Sequence, residues 1–235
     1  MTENYVVVDL EMTGLNPKTD CILEIGAVKA AGKRVQDEFS KLVCPNRPLD
    51  DKIAALTGIS DEMAAQGEEQ DTAVRQFLEF AEDFTWVGHN VMFDYRFIRQ
   101  WEANHRIQRT CYAVDTLKIA RVCLPGLEKK SLDFLCEYFG IKRKAKHRAL
   151  DDAKATQVLY EMLKDQFLQK EPNLFVPKKM QCSVKRQTPI TPRQKEYLTK
   201  LMQCHGIVPK IPVDQLCRSE ASRLADRIIR QYGKI

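Results

Sequence analysis

The chain has 235 residues, of which 44% are hydrophobic and 29% are charged. This composition is typical of a soluble globular protein and excludes collagen-like, largely disordered and disulfide-scaffold proteins. No run of about 18 apolar residues occurs, so we expect no membrane span. Residues 1–11 lack the basic segment of a signal peptide, and none of the eight cysteines forms a CxxC pair. We therefore expect a cytoplasmic protein with reduced thiols and no zinc site.

The charge is distributed unevenly along the chain. The whole sequence carries 37 basic and 32 acidic residues, a formal net charge of +5. Fourteen of the basic but five of the acidic residues lie from position 170 onward, so this segment carries +9 and residues 1–169 carry −4. An acidic body with a basic tail indicates a polyanion partner held by the tail, and a solvated extension without a partner is the alternative.

Hydrophobic patterning predicts strands at the start of the chain and mostly helices after them. Three apolar or alternating segments predict strands over residues 5–10, 21–30 and 35–43, with a hairpin turn at 32–33. Further elements are a strand at 86–88 and helices after Ser60 and over residues 72–83, 92–105, 115–123, 131–139 and 149–167.

This order of elements predicts an α/β body over residues 1–168, built on a mixed sheet. Three prolines and several lysines and arginines mark residues 169–190 as a basic linker, and a fourth proline, Pro192, follows it. Two amphipathic helices, at about 192–204 and 219–232, then predict a small basic helical module over residues 191–235.

Two carboxylates near the end of the first predicted strand could bind a cation. Asp9 and Glu11 are two residues apart, so both side chains emerge from the same face of the strand. Burying two like charges side by side is costly unless a cation neutralises them. Oxygen ligands of this kind suit Mg²⁺ or Mn²⁺, while a solvated strand edge is the alternative.

Two further segments place acidic residues at the start of helices. Asp94 lies in the first turn of the helix that follows the 86–88 strand. Asp151 and Asp152 lie in the first turn of the 149–167 helix, and His147 precedes them in a loop. Carboxylates at such positions often serve only the helix dipole, but histidine is suited to accept a proton near neutral pH. Four carboxylates and a histidine at one site would build a two-metal hydrolytic centre for phosphodiesters.

Three segments resemble the motifs of the DEDDh family of 3′→5′ exonucleases, which contains the proofreading epsilon subunit of bacterial replicative polymerases. They are Val8–Leu15, His89–Asp94 and His147–Ala153, and Leu56–Ser60 resembles the segment between the first two motifs. The resemblance spans residues 4–168, about 70% of the chain. It implies a ribonuclease H-like fold, in which a mixed five-stranded sheet is flanked by helices and followed here by the small C-terminal helical module.

The resemblance also implies roles for the five motif residues. Asp9 would bridge two divalent cations, which would be Mg²⁺, with Mn²⁺ as a substitute. Glu11 and Asp152 would hold the cation beside the attacking water, Asp94 would help to hold the other, and His147 would be the general base. The reaction would release nucleoside 5′-monophosphates from the 3′ ends of single-stranded DNA.

Residues around the motifs are candidates for substrate contacts. The nucleotide-binding candidates by resemblance are Met12, Thr13, Gly14, Leu15, Ile59 and Phe93; for Ile59 and Phe93, core packing is an equal alternative. The candidates for phosphate contacts are Lys144, Lys146 and Arg148, which lie in a basic run around His147. A solvated loop is the alternative for this run.

The sequence leaves three questions of function open. The first motif also resembles that of oligoribonuclease, so degradation of RNA is an alternative to degradation of DNA. A catalytically silent nucleic-acid-binding module is a second alternative. The basic C-terminal tail could grip nucleic acid or dock a DNA polymerase or another replication protein, and no membrane partner is expected.

Overall fold

A computed structural model of the chain describes residues 4–209 and 212–234, apart from the side chain of Gln215. The chain divides into two compact units, each with its own hydrophobic core. The first lies within Met1–Arg99 and Gln108–Ser183, and the second lies within Gln100–Ile107 and Val184–Ile235. The predicted linker, residues 169–190, is therefore shared between the two units.

The first unit is built on a mixed sheet of six strands. The strands are β1 (Asn4–Met12), β2 (Ile22–Ala31), β3 (Arg34–Leu42), β4 (Thr85–Gly88), β5 (Tyr112–Asp115) and β6 (Lys178–Lys179). Their order across the sheet is β3-β2-β1-β4-β5-β6. The β1–β4 and β4–β5 pairs are parallel and the remaining pairs are antiparallel. The predicted α/β class with a mixed sheet is thus confirmed, and the sheet has one strand more than the five predicted.

Helices flank this sheet, and most of them lie where hydrophobic patterning predicts them. In the chain's order they are α1 (Asp51–Thr57), α2 (Asp61–Ala65), α3 (Gln70–Ala81), α4 (Met92–Asn104), α5 (Thr116–Cys123), α6 (Leu132–Phe139) and α7 (Ala149–Phe167). Ser60 and Ser131 cap α2 and α6 through their side chains, and Gly140 ends α6 in the left-handed conformation. Patterning predicted neither α1, which has seven residues, nor β5, which has four.

Helix α7 packs across β1 and β2, and a glycine permits its close approach at one point. The core there includes Val7, Val28 and Leu159, which have no exposed surface. Gly26 pairs with Asp9 in the β1–β2 register. A Cβ atom at Gly26 would lie 2.1 Å from the carbonyl carbon of Ala149, the first residue of α7. The start of α7 therefore lies directly against the sheet beside Asp9.

The second unit contains the last two helices. Helix α8 (Pro192–Cys204) starts with a capping box, and α9 (Arg218–Tyr232) packs on it. The buried residues between them include Leu201 and Ile228. Among the residues described in either unit, no helix is long and apolar enough to cross a membrane.

Candidate active site

The end of β1 and the start of α4 bring three of the predicted carboxylates to one pocket. Asp9, Glu11 and Asp94 line this pocket, which has a volume of about 210 Å³. The backbone N–H of Leu10 donates to Asp94 Oδ1 at 3.0 Å. This bond joins the first turn of α4 to the strand that carries the other two carboxylates.

The turn before α4 is held by buried polar contacts. Asn90 has a positive φ of 69°, and its backbone N–H donates to Asp115 Oδ1 at 3.0 Å. The His89 ring lies 2.9 Å from the Thr116 hydroxyl and 2.8 Å from the Lys130 carbonyl oxygen, so both ring nitrogens are engaged. These contacts fix the path of the chain from β4 to Asp94.

The start of α7 supplies the other two predicted residues. The backbone N–H of His147 donates to Asp152 Oδ2 at 3.2 Å, and His147 has a positive φ of 54°. Potential ligand atoms of Glu11, His147 and Asp152 all lie within 4.8 Å of one another. Asp151 instead accepts a bond from the Ala145 backbone N–H at 3.0 Å. The two adjacent aspartates therefore have different roles, and Asp152 is the one that lines the pocket.

Mutual repulsion and burial disfavour the charged forms of these carboxylates. Burial, with added repulsion from Asp94 and Asp152, raises the pKa of Asp9 well above its ordinary value. Burial and the charge of Asp152 raise the pKa of Glu11 to about 8. Burial also raises the pKa of Asp94 to about 7, although the Leu10 N–H bond acts in the opposite direction. A site that keeps all these groups ionised at neutral pH therefore needs positive charge.

An arginine that sequence reasoning did not single out supplies part of that charge. Arg143 Nη1 lies 2.6 Å from Asp152 Oδ1, and its Nη2 bonds to Asp133. The Arg143 side chain is 4% exposed, while Lys144 and Lys146 in the same run are exposed. Only the fold reveals which member of this basic run turns inward.

A second ion pair holds the start of α7 against the sheet. Glu24 on β2 is 2% exposed and accepts a bond from Arg148 Nη2 at 2.8 Å. Its other oxygen accepts a bond from the Ala149 backbone N–H at 2.9 Å. Arg148, a predicted phosphate contact, is thus engaged by a buried carboxylate.

The predicted nucleotide contacts separate into different environments. Phe93 lines the pocket, and Leu15 is 80% exposed. The Thr13 hydroxyl accepts a bond from Arg47 Nη2 at 2.6 Å, which ties the loop after β1 to the rest of the unit. Ile59 has no exposed surface and packs with Leu23 and Ala64, in the core position that the sequence left open.

Met12 is the last residue of β1, and Gly14 lies in the loop that follows it. Both are partly buried, and a Cβ atom at Gly14 would lie 2.4 Å from an Asp20 carboxylate oxygen. Neither residue is among those that line the pocket around Asp9.

Comparison with known proteins assigns the chain to a family. The model of the exonuclease family named RNase T matches residues 6–160. The chain belongs to this exonuclease family. The predicted DEDDh type of 3′→5′ exonuclease, related to the epsilon subunit, is thereby confirmed.

Two relatives and one solved structure illustrate the similarity. The chain is 39% identical over 165 residues to the PolC-type DNA polymerase III of Thermotoga maritima; the match covers 68% of this chain and 12% of that polymerase. It is 35% identical over 157 residues to the DNA polymerase III subunit epsilon of Aquifex aeolicus, covering 66% of this chain and 78% of that subunit. Exonuclease X, solved in complex with 5′ overhanging duplex DNA, has the same fold, with a TM-score of 0.55 and 23% sequence identity. The match covers 69% of this chain and 92% of the Exonuclease X chain.

Proposed function

We propose that the chain is a metal-dependent exonuclease that removes nucleoside 5′-monophosphates from the 3′ ends of single-stranded DNA. The observation that carries this proposal is the convergence of five residues from three chain segments on one small pocket. They are Asp9, Glu11, Asp94, His147 and Asp152. Membership in the exonuclease family supports the reaction class.

The donor set fits divalent cations with a preference for oxygen ligands. Asp9, Glu11, Asp94 and Asp152 offer carboxylates, the ligands that Mg²⁺ and Mn²⁺ prefer. The raised pKa values of Asp9 and Glu11 reflect burial and, after it, mutual repulsion, and bound cations would favour the ionised forms. When bound, two cations would neutralise these groups and polarise the scissile phosphodiester.

His147 is suited to take the proton from the attacking water. Its backbone N–H bond to Asp152 holds it at the start of α7, while its side chain is 37% exposed. Its Nε2 lies 4.0 Å from Asp133 Oδ2. A general base must reach both water and bulk solvent, and this partial exposure meets that need.

Several residues around the pocket would bind the substrate. Phe93 lines the pocket, Met12 ends β1, and Thr13 to Leu15 follow the strand directly. We expect these residues to contact the terminal nucleotide. Lys144 and Lys146 are exposed in the loop before His147, and we expect them to contact phosphates of the same strand.

The relatives support DNA as the substrate and a replication setting. Both curated relatives are DNA polymerase III proteins, and the solved Exonuclease X structure contains DNA. On the same support we propose a polymerase partner and a cytoplasmic location. The chain spans 12% of the Thermotoga polymerase, so that enzyme's other activities are not proposed for it.

The test is digestion of 5′-labelled single-stranded DNA and RNA of equal sequence, with Mg²⁺, with Mn²⁺ and with EDTA. We expect a ladder that shortens from the 3′ end, forms faster on DNA and disappears in EDTA and in His147→Ala. His205→Ala, which alters a partly buried histidine of the second unit, serves as the control and should retain the ladder. Faster digestion of RNA would assign the enzyme to RNA degradation. Binding without cleavage of either substrate would instead support a silent binding module.

A further inference from the structure

Helix α9 in the second unit has two chemically different faces. One face is apolar and packs within the unit through Ala221, Ala225 and Ile228. Three arginines lie along the other side of the helix: Arg223, Arg227 and Arg230, all of which are exposed. They define what we call the arginine face.

The spacing of these arginines aligns their side chains. Positions 223, 227 and 230 differ by four and three residues, so they fall within about 60° of arc on an α-helix. Successive members are separated by about 6 Å and about 4.5 Å along the helix axis. None of the three forms an ion pair or hydrogen bond with any residue in the described part of the chain.

The surroundings offset the charge of this face only in part, since Asp226 is the one acidic residue of α9 that lies one turn from Arg223 and Arg230. The carboxylate of Glu220 bonds to the backbone N–H of Cys217 in the capping box of α9. Asp226 is the other acidic residue of the helix. The sequence ranges of this unit, 100–107 and 184–235, contain twelve basic and five acidic residues. Like charges at these spacings repel, so the face costs the helix stability that a bound polyanion would recover.

We propose that the arginine face binds the sugar–phosphate backbone of the nucleic acid whose end is degraded. This inference rests on the proposed function, because it assumes the same polyanionic substrate. Guanidinium groups match phosphate oxygens in two-bond contacts, and three of them lie in a row along α9. The contacts read no base, so binding is independent of sequence and falls steeply with salt.

The arginine face has a consequence for substrate length. A 30-nucleotide strand offers many more phosphates to the arginine face than a four-nucleotide strand does. We therefore expect the face to favour long substrates. An acidic protein surface is the competing partner for the same charges, and the experiment below separates the two.

The test compares two triple variants of the full chain. In the first, Arg223, Arg227 and Arg230 are all replaced by Gln. In the control, Lys185, Lys195 and Lys234, which are exposed and scattered over the same unit, are replaced by Gln. Both variants lose three positive charges, so a difference between them reports the arrangement of the charges. A third variant with lysine at the three arginine positions keeps the charge.

Binding of labelled 30-nucleotide single-stranded DNA and RNA is measured by fluorescence anisotropy in EDTA across a salt series. Loss of three phosphate contacts should reduce the slope of log K against log salt by about 2. The arginine-to-glutamine variant should show this reduction, while the scattered control and the lysine variant should keep most of the wild-type slope. The ratio of kcat/KM for a 30-nucleotide substrate to that for a four-nucleotide substrate should fall in the first variant.

The result that would overturn the proposal is an equal slope and an equal length ratio in the first variant and the scattered control. Unchanged affinity for DNA and RNA in the first variant would also overturn it and would leave an acidic protein surface as the partner of these charges. Binding is measured without turnover, so its result stands even if the chain cleaves no substrate. Failure of the proposed function is thus distinguishable from failure of the arginine face.

Discussion

Replacing Gly26 by Ala should damage both the stability and the activity of the first unit. The new Cβ atom would lie 2.1 Å from the carbonyl carbon of Ala149 and 2.2 Å from the backbone nitrogen of Leu150. Ordinary van der Waals contact begins at about 3.4 Å, so the start of α7 would have to move by more than 1 Å. Backbone atoms cannot rotate away as a flexible side chain can.

The size of both effects can be estimated from this displacement. Overpacking of this kind typically costs about 1–3 kcal/mol of unfolding free energy. The same shift would move His147 and Asp152 relative to Asp9, and a misplacement of about 1 Å can cost roughly 100-fold in rate. We therefore expect Gly26→Ala to lose about two orders of magnitude in kcat at saturating Mg²⁺.

The assay combines urea unfolding with digestion of 5′-labelled single-stranded DNA. Gly126→Ala is the matched control, because a Cβ atom there meets nothing within 4 Å and its φ is not positive. The control should stay within about 0.5 kcal/mol of the wild type and retain full activity. If Gly26→Ala behaves like Gly126→Ala, the start of α7 does not depend on this close approach and our reasoning is refuted.

Three other variants or conditions probe the carboxylates. Asp94→Asn loses a negative charge at the site, so the rate of cleavage on gels should fall at least 100-fold. The new side chain keeps an oxygen that accepts from the Leu10 N–H, so urea unfolding should show no loss of stability. In EDTA the folded pKa values of Glu11 and Asp94, about 8 and about 7, exceed their unfolded values, so the folded state retains protons that the unfolded state has released. Thermal melts should therefore show stability falling as pH rises from 5 to 8, and an unchanged or rising melting temperature would contradict these shifts. Glu24→Gln should lower the free energy of unfolding in urea by roughly 2 kcal/mol, because Arg148 loses a buried charged partner. The control Glu38→Gln, at an exposed ion pair, should lower it by less than about 1 kcal/mol. Equal losses would count against the Glu24–Arg148 pair as an anchor of α7.

Sequence alone predicts those parts of the site whose residues lie close together in the sequence. Asp9 and Glu11 share a face because a strand alternates, and His147 and Asp152 are neighbours because a loop leads directly into a helix. Asp94 could be assigned through its motif, since the pairing of β1 with β4 that brings it near Asp9 is not visible in the spacing.

The remaining features depend on contacts between distant segments. Arg143 stands among lysines of similar character, and its inward direction is set by Asp133 and Asp152 on two different helices. Glu24 lies on a strand predicted for its apolar pattern, while its partner Arg148 is 124 positions away. The two-residue strand β6 has no pattern of its own and forms by pairing with β5.

The identity of the first product tests the central claim most directly. A single-stranded DNA labelled at its 3′-terminal nucleotide is incubated with Mg²⁺, and the products are identified by mass spectrometry, beside Asp94→Asn and an EDTA control. We predict that the labelled nucleoside 5′-monophosphate is the first product and that it is absent from both controls. Labelled fragments longer than one nucleotide, a nucleoside 3′-phosphate, or undiminished release in EDTA would contradict metal-dependent hydrolysis from the 3′ end.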